Sequence, residues 1–129
     1  MSAYVTIEGN LTSDPELRYL NDGTPVCRLG VAVNGRRKNA EGQYVDTETE
    51  FYDVTVWGIT APNAAESLDK GVTVVVTGPS WTESYTDRNG DRRTKRVLRA
   101  DRLGASLRFA TLTITRTARR TDHTVEDDQ

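Results

Sequence analysis

The segment TEFYDVTVWG, residues 49–58, has the alternating pattern of a β-strand whose two faces differ in character. Side chains on a strand point alternately to its two faces, so one face is apolar and consists of Tyr52, Val54 and Val56. The other face is polar yet carries two very large hydrophobic side chains, and it consists of Phe51, Asp53, Thr55 and Trp57. We expect the apolar face to pack in a core and the rings of the other face to serve a function.

Further segments with strand alternation lie on both sides of this one, at residues 2–10, 26–34, 72–86 and 92–103. Gly30 predicts a bulge or bend in the second strand, and Gly78 with Pro79 predicts a kink in the fourth. Between the third and fourth strands, TAPNAAESLDKG (residues 60–71) has helical spacing and ends in a glycine. This order predicts an all-β fold, the five-stranded OB-fold Greek-key barrel, with one short helix between strands 3 and 4 and a long hairpin between strands 4 and 5. A small β-sandwich is the alternative, but it does not predict a helix at this position.

The chain divides into two regions of different composition. Residues 1–110 hold the predicted barrel, which includes a polar loop or flexible hairpin, GRRKNAEGQYVDTE, at residues 35–48. Residues 111–129 form a C-terminal extension that is rich in threonine and then charged. The alternation of Leu112 and Ile114 with threonines predicts a short strand at 111–116, and from Thr117 onward we expect a disordered acidic tail.

The composition argues against several classes of function. The longest apolar run, Val74 to Val76, is far too short to span a membrane, so no membrane partner is expected. The single cysteine, Cys27, argues against an internal disulfide and for a cytoplasmic protein; it is either a buried thiol or half of a disulfide between subunits. The single histidine, His123, lies in the extension, so the barrel has no residues for a metal site or a nucleophile–base pair. We therefore expect neither an enzyme nor a metal or other cofactor.

The net charge of −2 hides a basic run in the long hairpin, where seven basic side chains and two acids lie between residues 88 and 102. Asn89–Gly90 predicts a two-residue type I′ turn. In that register Asp87 pairs with Arg92, Glu83 pairs with Arg96, and the bases left unpaired are Arg88, Arg93, Lys95 and Arg99. The run is either a solvated face or a surface that tracks phosphates, and Arg36 and Arg37 in the polar loop add a second basic segment.

Alternation places Trp81 and Tyr85 on one face of the hairpin, again among charged side chains. Bases of an unpaired strand stack on such rings while arginine and lysine hold the phosphates, which predicts binding with little sequence preference. Burial of Trp57 and Trp81 in the core is the alternative. Asp53 should be paired with a nearby arginine, since a bare carboxylate would repel phosphate. Duplex DNA is disfavoured because no recognition helix is present, whereas RNA stays open as a ligand.

With these residues in view, the chain resembles the bacterial single-stranded DNA-binding protein family from about Tyr4 to Phe109. The resemblance rests on the order and spacing of five motifs: GNLTSDPELRY (9–19), GTPVCRLGVAV (23–33), TEFYDVTVWG (49–58), AAESLDKG (64–71) and YTDRNGDRRT (85–94). It implies an OB barrel assembled as a homotetramer, which protects single-stranded DNA in replication, recombination and repair in the nucleoid.

The resemblance also implies roles for particular residues. Stacking positions of the family fall on Phe51, Trp57 and Tyr85, while Trp81 is added only from its place beside them. A further family aromatic, which follows the second strand, falls within Gly35–Arg37, where no ring is present; we expect the guanidinium of Arg36 or Arg37 to stack instead. Phosphate contacts are expected from Arg88, Arg93 and Lys95.

Family members typically end in a Gly- and Pro-rich linker and an acidic tip with Pro-Phe, which recruits replication and repair proteins. This chain ends TVEDDQ (residues 124–129), so recruitment through a tip is not expected, and the chain resembles an actinobacterial paralogue with a shortened tail. The segment TLTITR (residues 111–116) is similar to an extra C-terminal strand of actinobacterial members that clamps neighbouring subunits.

Two other functions fit the same barrel. A dimeric OB-fold primosome accessory protein would bind strands as two subunits rather than four. An OB module that binds proteins or sugars would leave tryptophan fluorescence unchanged by oligonucleotides.

Overall fold

The computed structural model describes residues 2–117, which form nine strands and one helix. In chain order the strands are β1 (Ala3–Leu11), β2 (Glu16–Tyr19), β3 (Pro25–Val33), β4 (Arg36–Lys38), β5 (Tyr44–Asp46), β6 (Glu50–Trp57), β7 (Thr73–Thr86), β8 (Arg92–Arg99) and β9 (Arg102–Ala105). The helix α1, Thr60–Ser67, lies between β6 and β7. Apart from Thr117 itself, the predicted acidic tail lies outside the described residues.

Five of these strands close into a barrel in the order β1-β3-β6-β8-β7, and β7 pairs back with β1. Neighbouring barrel strands are antiparallel except β6 and β8, which run parallel. This is the Greek-key order of an OB barrel, so the predicted fold class is confirmed, together with the helix and the long hairpin. The short strands that the sequence did not separate are β2, which extends the sheet beside β3, β9, which lies beside β7, and the β4–β5 hairpin, which forms a sheet of its own.

The core fills the barrel because each strand buries every second side chain. Tyr52, Val54 and Val56 of β6 are buried in it, as the alternation predicts. Cys27 on β3 also belongs to the core, with 0% of its surface exposed, and burial raises the pKa of its thiol. Of the two alternatives for Cys27, the buried free thiol is the one that the structure has, and a thiol without exposed surface is poorly placed for a disulfide between subunits.

Two glycines mark places where backbones approach closely. A Cβ at Gly78 would overlap the carbonyl oxygen of Arg99, and this is the point at which β7 turns from pairing with β9 to pairing with β8. This close approach explains the glycine, whereas the register of β7 with β1 runs through Gly78 without interruption and the predicted kink stays a prediction. Gly30 is not a bulge, because the register of β3 with β6 continues through Gly30 and Asp53 without interruption. Its missing side chain instead leaves room for the hydroxyl of Thr12, 2.5 Å from where a Cβ would lie.

The long hairpin differs from the prediction by one residue of register. Thr86 pairs with Arg92, and the type I′ turn is absent because only Gly90 has a left-handed backbone, at φ +86°. The reason lies in Asp87, whose Oδ1 accepts hydrogen bonds from the backbone N–H groups of Asn89 at 3.0 Å and Asp91 at 2.9 Å. This side-chain cap stabilises a longer loop than Asn89–Gly90 would make alone. A slip of one residue moves every side chain to the other face, so the predicted facing of β8 against β7 is wrong.

The helix and the C-terminal segment complete the barrel. The helix packs on the core through Ala61 and Ala64, as its spacing predicts. After β9, the hydroxyl of Ser106 donates to Glu8 at 2.6 Å and Arg108 donates to the same carboxylate at 3.1 Å. These contacts fix the start of the C-terminal segment on β1. Residues 110–117 then run without strand pairing inside this chain, so the predicted strand at 111–116 does not form there.

Candidate nucleic-acid interface

Strands β3, β6 and β8 and the second half of β7 turn one side to solvent, and we call this side the outer face. Its members follow from the strand registers, since residues paired across neighbouring strands lie on the same side of a sheet. They are Val26, Arg28, Gly30, Ala32, Phe51, Asp53, Thr55, Trp57, Trp81, Glu83, Tyr85, Arg93, Lys95, Val97 and Arg99, of which Val97 is covered by its neighbours and only 8% exposed.

The outer face carries all four rings that the sequence singled out. Phe51, Trp57 and Tyr85 are 64%, 48% and 45% exposed, so the alternative of a buried Trp57 is contradicted. Trp81 is half-buried outside the core cluster, and its indole N–H donates to the carboxylate of Glu83 at 3.0 Å. Phe51 and Trp57 stand at opposite ends of β6, about 20 Å apart at ordinary strand rise.

The corrected register brings basic side chains onto the same face as these rings. Tyr85 lies opposite Arg93, and Glu83 lies opposite Lys95, where the sequence had placed both bases on the other side of the hairpin. The Nζ of Lys95 lies 5.8 Å from the centroid of the Tyr85 ring. Rings and cations are therefore interleaved on one surface, which is the combination that binds stacked bases and their phosphates.

Asp53 has the arginine partner that the sequence predicted, together with a lysine. Arg28 donates to its two carboxylate oxygens, at 2.9 and 2.7 Å, and Lys95 lies 3.3 Å away. Burial opposes ionisation of Asp53, but the hydrogen bonds and charge of Arg28, with those of Lys95, keep the pKa of this carboxyl below its usual value. The acid is thus ionised and largely neutralised at the centre of the outer face.

The ion pairs predicted from the wrong register are replaced by others. Asp87 accepts from the Nε of Arg93 at 2.8 Å rather than pairing with Arg92, and this bond lowers the pKa of Asp87. Arg96 lies 3.5 Å from Glu50 of β6, on the side away from Glu83. Arg93 is therefore not unpaired, as the sequence suggested, although 58% of its side chain stays exposed to solvent while Asp87 is 19% exposed.

The other predicted bases lie away from the outer face. Arg36 and Arg37 lie on β4 and point to opposite sides of the β4–β5 hairpin. Arg88 lies in the exposed loop at the tip of the β7–β8 hairpin. The structure brings Phe51, Trp57, Trp81 and Tyr85 together with Arg93 and Lys95, and leaves these three arginines at two separate projections.

Sequence reasoning missed two arginines around the rings, Arg18 and Arg28, whereas it had counted Arg99 among the unpaired bases of the long hairpin. Arg28 and Arg99 flank Thr55 on the two strands beside β6, and Arg18 on β2 pairs with Val26, which in turn pairs with Trp57. A signal for Arg28 existed, because it lies between the buried Cys27 and Leu29 in a strand and must face outward. Alternation alone could not predict that Arg18 lies near Trp57, since this proximity depends on how β2, β3 and β6 pair.

A groove of about 380 Å³ opens beside Asp53. Its walls include Phe51 and Lys95 from the outer face and Ser13 and Asp14 from the loop after β1. Within residues 2–117, no group of three or more metal-ligating side chains comes together, and no helix is long and apolar enough to cross a membrane.

Comparison with known proteins gives a consistent result. Residues 3–106 match the sequence profile described as the single-strand binding protein family. A single-stranded DNA-binding protein of Paenarthrobacter aurescens is 40% identical over 116 residues, which cover 89% of this chain and 68% of that protein. Single-stranded DNA-binding protein 1 of Tropheryma whipplei strain Twist is 41% identical over 129 residues, which cover 99% of this chain and 69% of that protein. Among solved structures, a small single-stranded DNA-binding protein from Streptomyces coelicolor superposes with a TM-score of 0.73 at 31% identity, over 82% of this chain and 95% of that one.

Proposed function

Because the chain belongs to the single-strand binding protein family, we propose that it binds single-stranded DNA on the outer face of its barrel, without strong sequence preference. The observation that carries this proposal is the placement of exposed rings and cationic side chains on one continuous surface. The processes that expose such strands are DNA replication, recombination and repair. We propose that the protein takes part in these three processes as a binding protein rather than an enzyme. Its proposed location is the cytoplasm, in association with the nucleoid.

Base stacking supplies the part of the affinity that does not depend on sequence. Phe51 and Trp57 on β6 and Tyr85 on β7 each leave about half or more of their surface open. Every base has a π-face, and stacking on an aromatic side chain contributes about 1–3 kcal/mol per base. Trp81, which is half-buried and held by Glu83, has a lesser part in this scheme.

Phosphate contacts come from cations that form ion pairs within the protein when no strand is bound, and these ion pairs must break on binding. Arg93 is bonded to Asp87, and Lys95 lies beside Asp53. Arg93 and Lys95 keep 58% and 39% of their side chains exposed, and a phosphate offers them the same kind of charge-assisted hydrogen bond as the carboxylates do. Arg88 at the hairpin tip and Arg36 and Arg37 on β4 extend the basic path beyond the outer face.

We also propose that the protein assembles as a homotetramer. From Ala3 to Glu8, β1 pairs with β7 along one edge, whereas within the described residues its pairing with β3 is confined to Asn10 and Leu11. The other edge is left open, and an open strand edge is a template for pairing with a second chain. Residues 111–116 leave Leu112 and Ile114 exposed, and we propose that they pair with a neighbouring subunit.

Titration of intrinsic tryptophan fluorescence with oligo-dT and with a duplex, at several salt concentrations, tests the function. We expect strong quenching by oligo-dT only. If about four phosphates contact each subunit, log affinity falls with log salt at a slope of about −3 per subunit. Absence of quenching would instead support a module that binds proteins or sugars, and equal binding of the duplex would overturn the stacking interface. An oligo-U titration in parallel measures how far RNA competes.

Light scattering tests the assembly separately. Four subunits are expected for the full chain, and fewer after deletion of residues 110–129. Two subunits in the full chain would favour the dimeric primosome accessory protein.

A further inference from the structure

The β4–β5 hairpin and its neck, residues 34–49, form a projection that we call the arm. Its strands pair with each other in a two-stranded sheet and, within the described residues, with no barrel strand. The neck is closed by a hydrogen bond from the N–H of Thr47 to the carbonyl of Gly35 at 2.8 Å and by one between the side chains of Thr49 and Asn34 at 2.9 Å. The arm is therefore an ordered extension joined to the barrel by two strands, β3 and β6.

Tyr44 is the ring of the arm, and it is 63% exposed. It pairs with Lys38, and Arg36 pairs with Asp46, so these four side chains share one side of the arm. The guanidinium carbon of Arg36 lies 5.5 Å from the centroid of the Tyr44 ring, and the Nζ of Lys38 lies 5.8 Å from it. The ring thus stands between two cations with most of its surface open to solvent.

The turn of the arm fixes the position of this ring. The Oδ1 of Asn39 accepts hydrogen bonds from the N–H groups of Glu41 at 3.0 Å and Gln43 at 2.9 Å. The backbone next to Tyr44 is therefore held before any ligand arrives. A ring carried on an ordered backbone loses less conformational freedom on binding than one on a loose loop, which favours its use as a contact.

A purely structural role for Tyr44 does not account for its surroundings. A cation–π contact at an exposed site contributes about 0.5–1 kcal/mol and needs only one face of a ring. Here Tyr44 belongs neither to the core cluster nor to the partly buried apolar side chains that pack against it. Of the four paired side chains that share this side, two are cations and one is an acid, Asp46, which lies 3.8 Å from Arg36, so these four together carry a net positive charge.

We propose that Tyr44, with Arg36 and Lys38 beside it, is a further stacking site for one base of the bound strand. The inference rests on the proposed binding of single-stranded DNA and adds a site that lies beyond the barrel. Phe51 pairs with Ala32 where β3 and β6 lead into the arm, so a strand that runs along β6 from Trp57 past Phe51 reaches the arm next. Arg36 and Lys38 then hold the phosphates on either side of the stacked base.

Oligonucleotides of two lengths separate this site from the outer face. Labelled oligo-dT of about 8 nucleotides fits within one OB barrel, and oligo-dT of about 30 nucleotides can also occupy the arm. We expect Tyr44→Ala to bind the longer strand about 5- to 100-fold more weakly, with the shorter strand unaffected. Tyr44→Phe, which keeps the ring, should bind both as the parent protein does.

Phe109→Ala is the matched control, because Phe109 is also an exposed ring beside an arginine, with Arg108 5.0 Å from its centroid, but it lies in the C-terminal segment. Phe109→Ala should leave the affinities for the shorter and the longer strand unchanged. Light scattering should show that it also leaves the subunit count unchanged. The slope of log affinity against log salt distinguishes a stacking role of Tyr44 from a role in positioning the two cations. Tyr44→Ala should leave this slope unchanged, whereas the double variant Arg36→Ala, Lys38→Ala should flatten it by about 1.4.

Three results would overturn the arm site. They are an unchanged affinity of Tyr44→Ala for the longer strand, an equal loss for both lengths, and a salt slope that flattens as in the double variant. If the parent protein binds neither strand, the proposed function itself fails, and the two failures are therefore distinguishable.

Discussion

Arg28 on β3 donates two hydrogen bonds to the carboxylate of Asp53 on β6, from Nε to Oδ1 at 2.9 Å and from Nη2 to Oδ2 at 2.7 Å. Lys95 reaches the same Oδ2 from β8, at 3.3 Å. One acid therefore ties three neighbouring strands together on the surface where phosphates are expected. It holds two cations in place and cancels part of their charge.

Asp53→Asn should bind single-stranded DNA more tightly than the parent protein. The substitution keeps the shape of the side chain but frees the charge of Arg28 and Lys95 for phosphate. One additional neutralised phosphate would steepen the slope of log affinity against log salt by about 0.7. Oligo-dT titrations at several salt concentrations measure both effects, with Asp69→Asn, an exposed acid after the helix, as the control. Weaker binding with a flatter slope would mean that Asp53 acts mainly by positioning the two cations.

The same acid should make the stability of the fold depend on pH. Its pKa is lowered in the folded protein, so the unfolded chain binds the proton more readily and stability rises with pH. The stabilisation is present above the ordinary Asp pKa of about 3.9 and is lost as pH falls through the lower folded value. Urea unfolding should show Asp53→Asn to be about 1 kcal/mol less stable than the parent at neutral pH, with Arg28 half exposed and its contribution screened accordingly. The gap should narrow as pH falls below the ordinary Asp pKa and Asp53 takes up a proton; a gap that widens in acid would contradict this account.

Trp57→Ala should weaken binding of oligo-dT about 10-fold or more, because it removes a stacking platform. Its salt slope should not change, since no charge is lost. Arg93→Ala should lose less affinity but flatten the slope by about 0.7. Anisotropy of a labelled oligonucleotide measures both variants independently of their tryptophan content. A flattened slope for Trp57→Ala would refute its stacking role.

Gly78→Ala should destabilise the barrel by about 1–3 kcal/mol, because the new Cβ would overlap the carbonyl oxygen of Arg99 where β7 passes the end of β8. Gly104→Ala on β9 is the matched control, since no atom lies within 4 Å of the added Cβ. Urea unfolding of the two variants measures the difference. Equal stabilities would show that this close approach relaxes without cost.

Alternation was sufficient to predict the two faces of β6 because this strand is regular and pairs on both sides with barrel strands. The burial of Tyr52, Val54 and Val56, the exposure of Phe51 and Trp57, and an arginine partner for Asp53 all follow from that pattern. For Cys27 the sequence left two alternatives open, and a buried thiol was the simpler of the two. Local sequence thus defined most of the barrel and half of the candidate interface.

The remaining features depend on interactions that alternation does not describe. In the long hairpin, the side chain of Asp87 competes with the turn preference of Asn89–Gly90 and shifts the register, which is why the facing of Arg93 and Lys95 was predicted wrongly. The position of Tyr44 depends on how a polar hairpin pairs, and no local pattern indicates it. Arg18 gains its place near Trp57 only through two successive strand pairings.

The parallel pairing of β6 with β8 has a consequence for folding. Tyr52 pairs with Arg96 and Thr55 with Arg99, although the helix and the whole of β7 lie between these strands in the chain. Contacts between residues so distant in sequence carry a large loop-closure entropy and form late. This seam joins the rings of β6 to those of the long hairpin, so the interface is complete only once β6 and β8 have paired. Partly folded chains therefore lack a complete binding surface, and a bound strand that spans the seam slows its reopening.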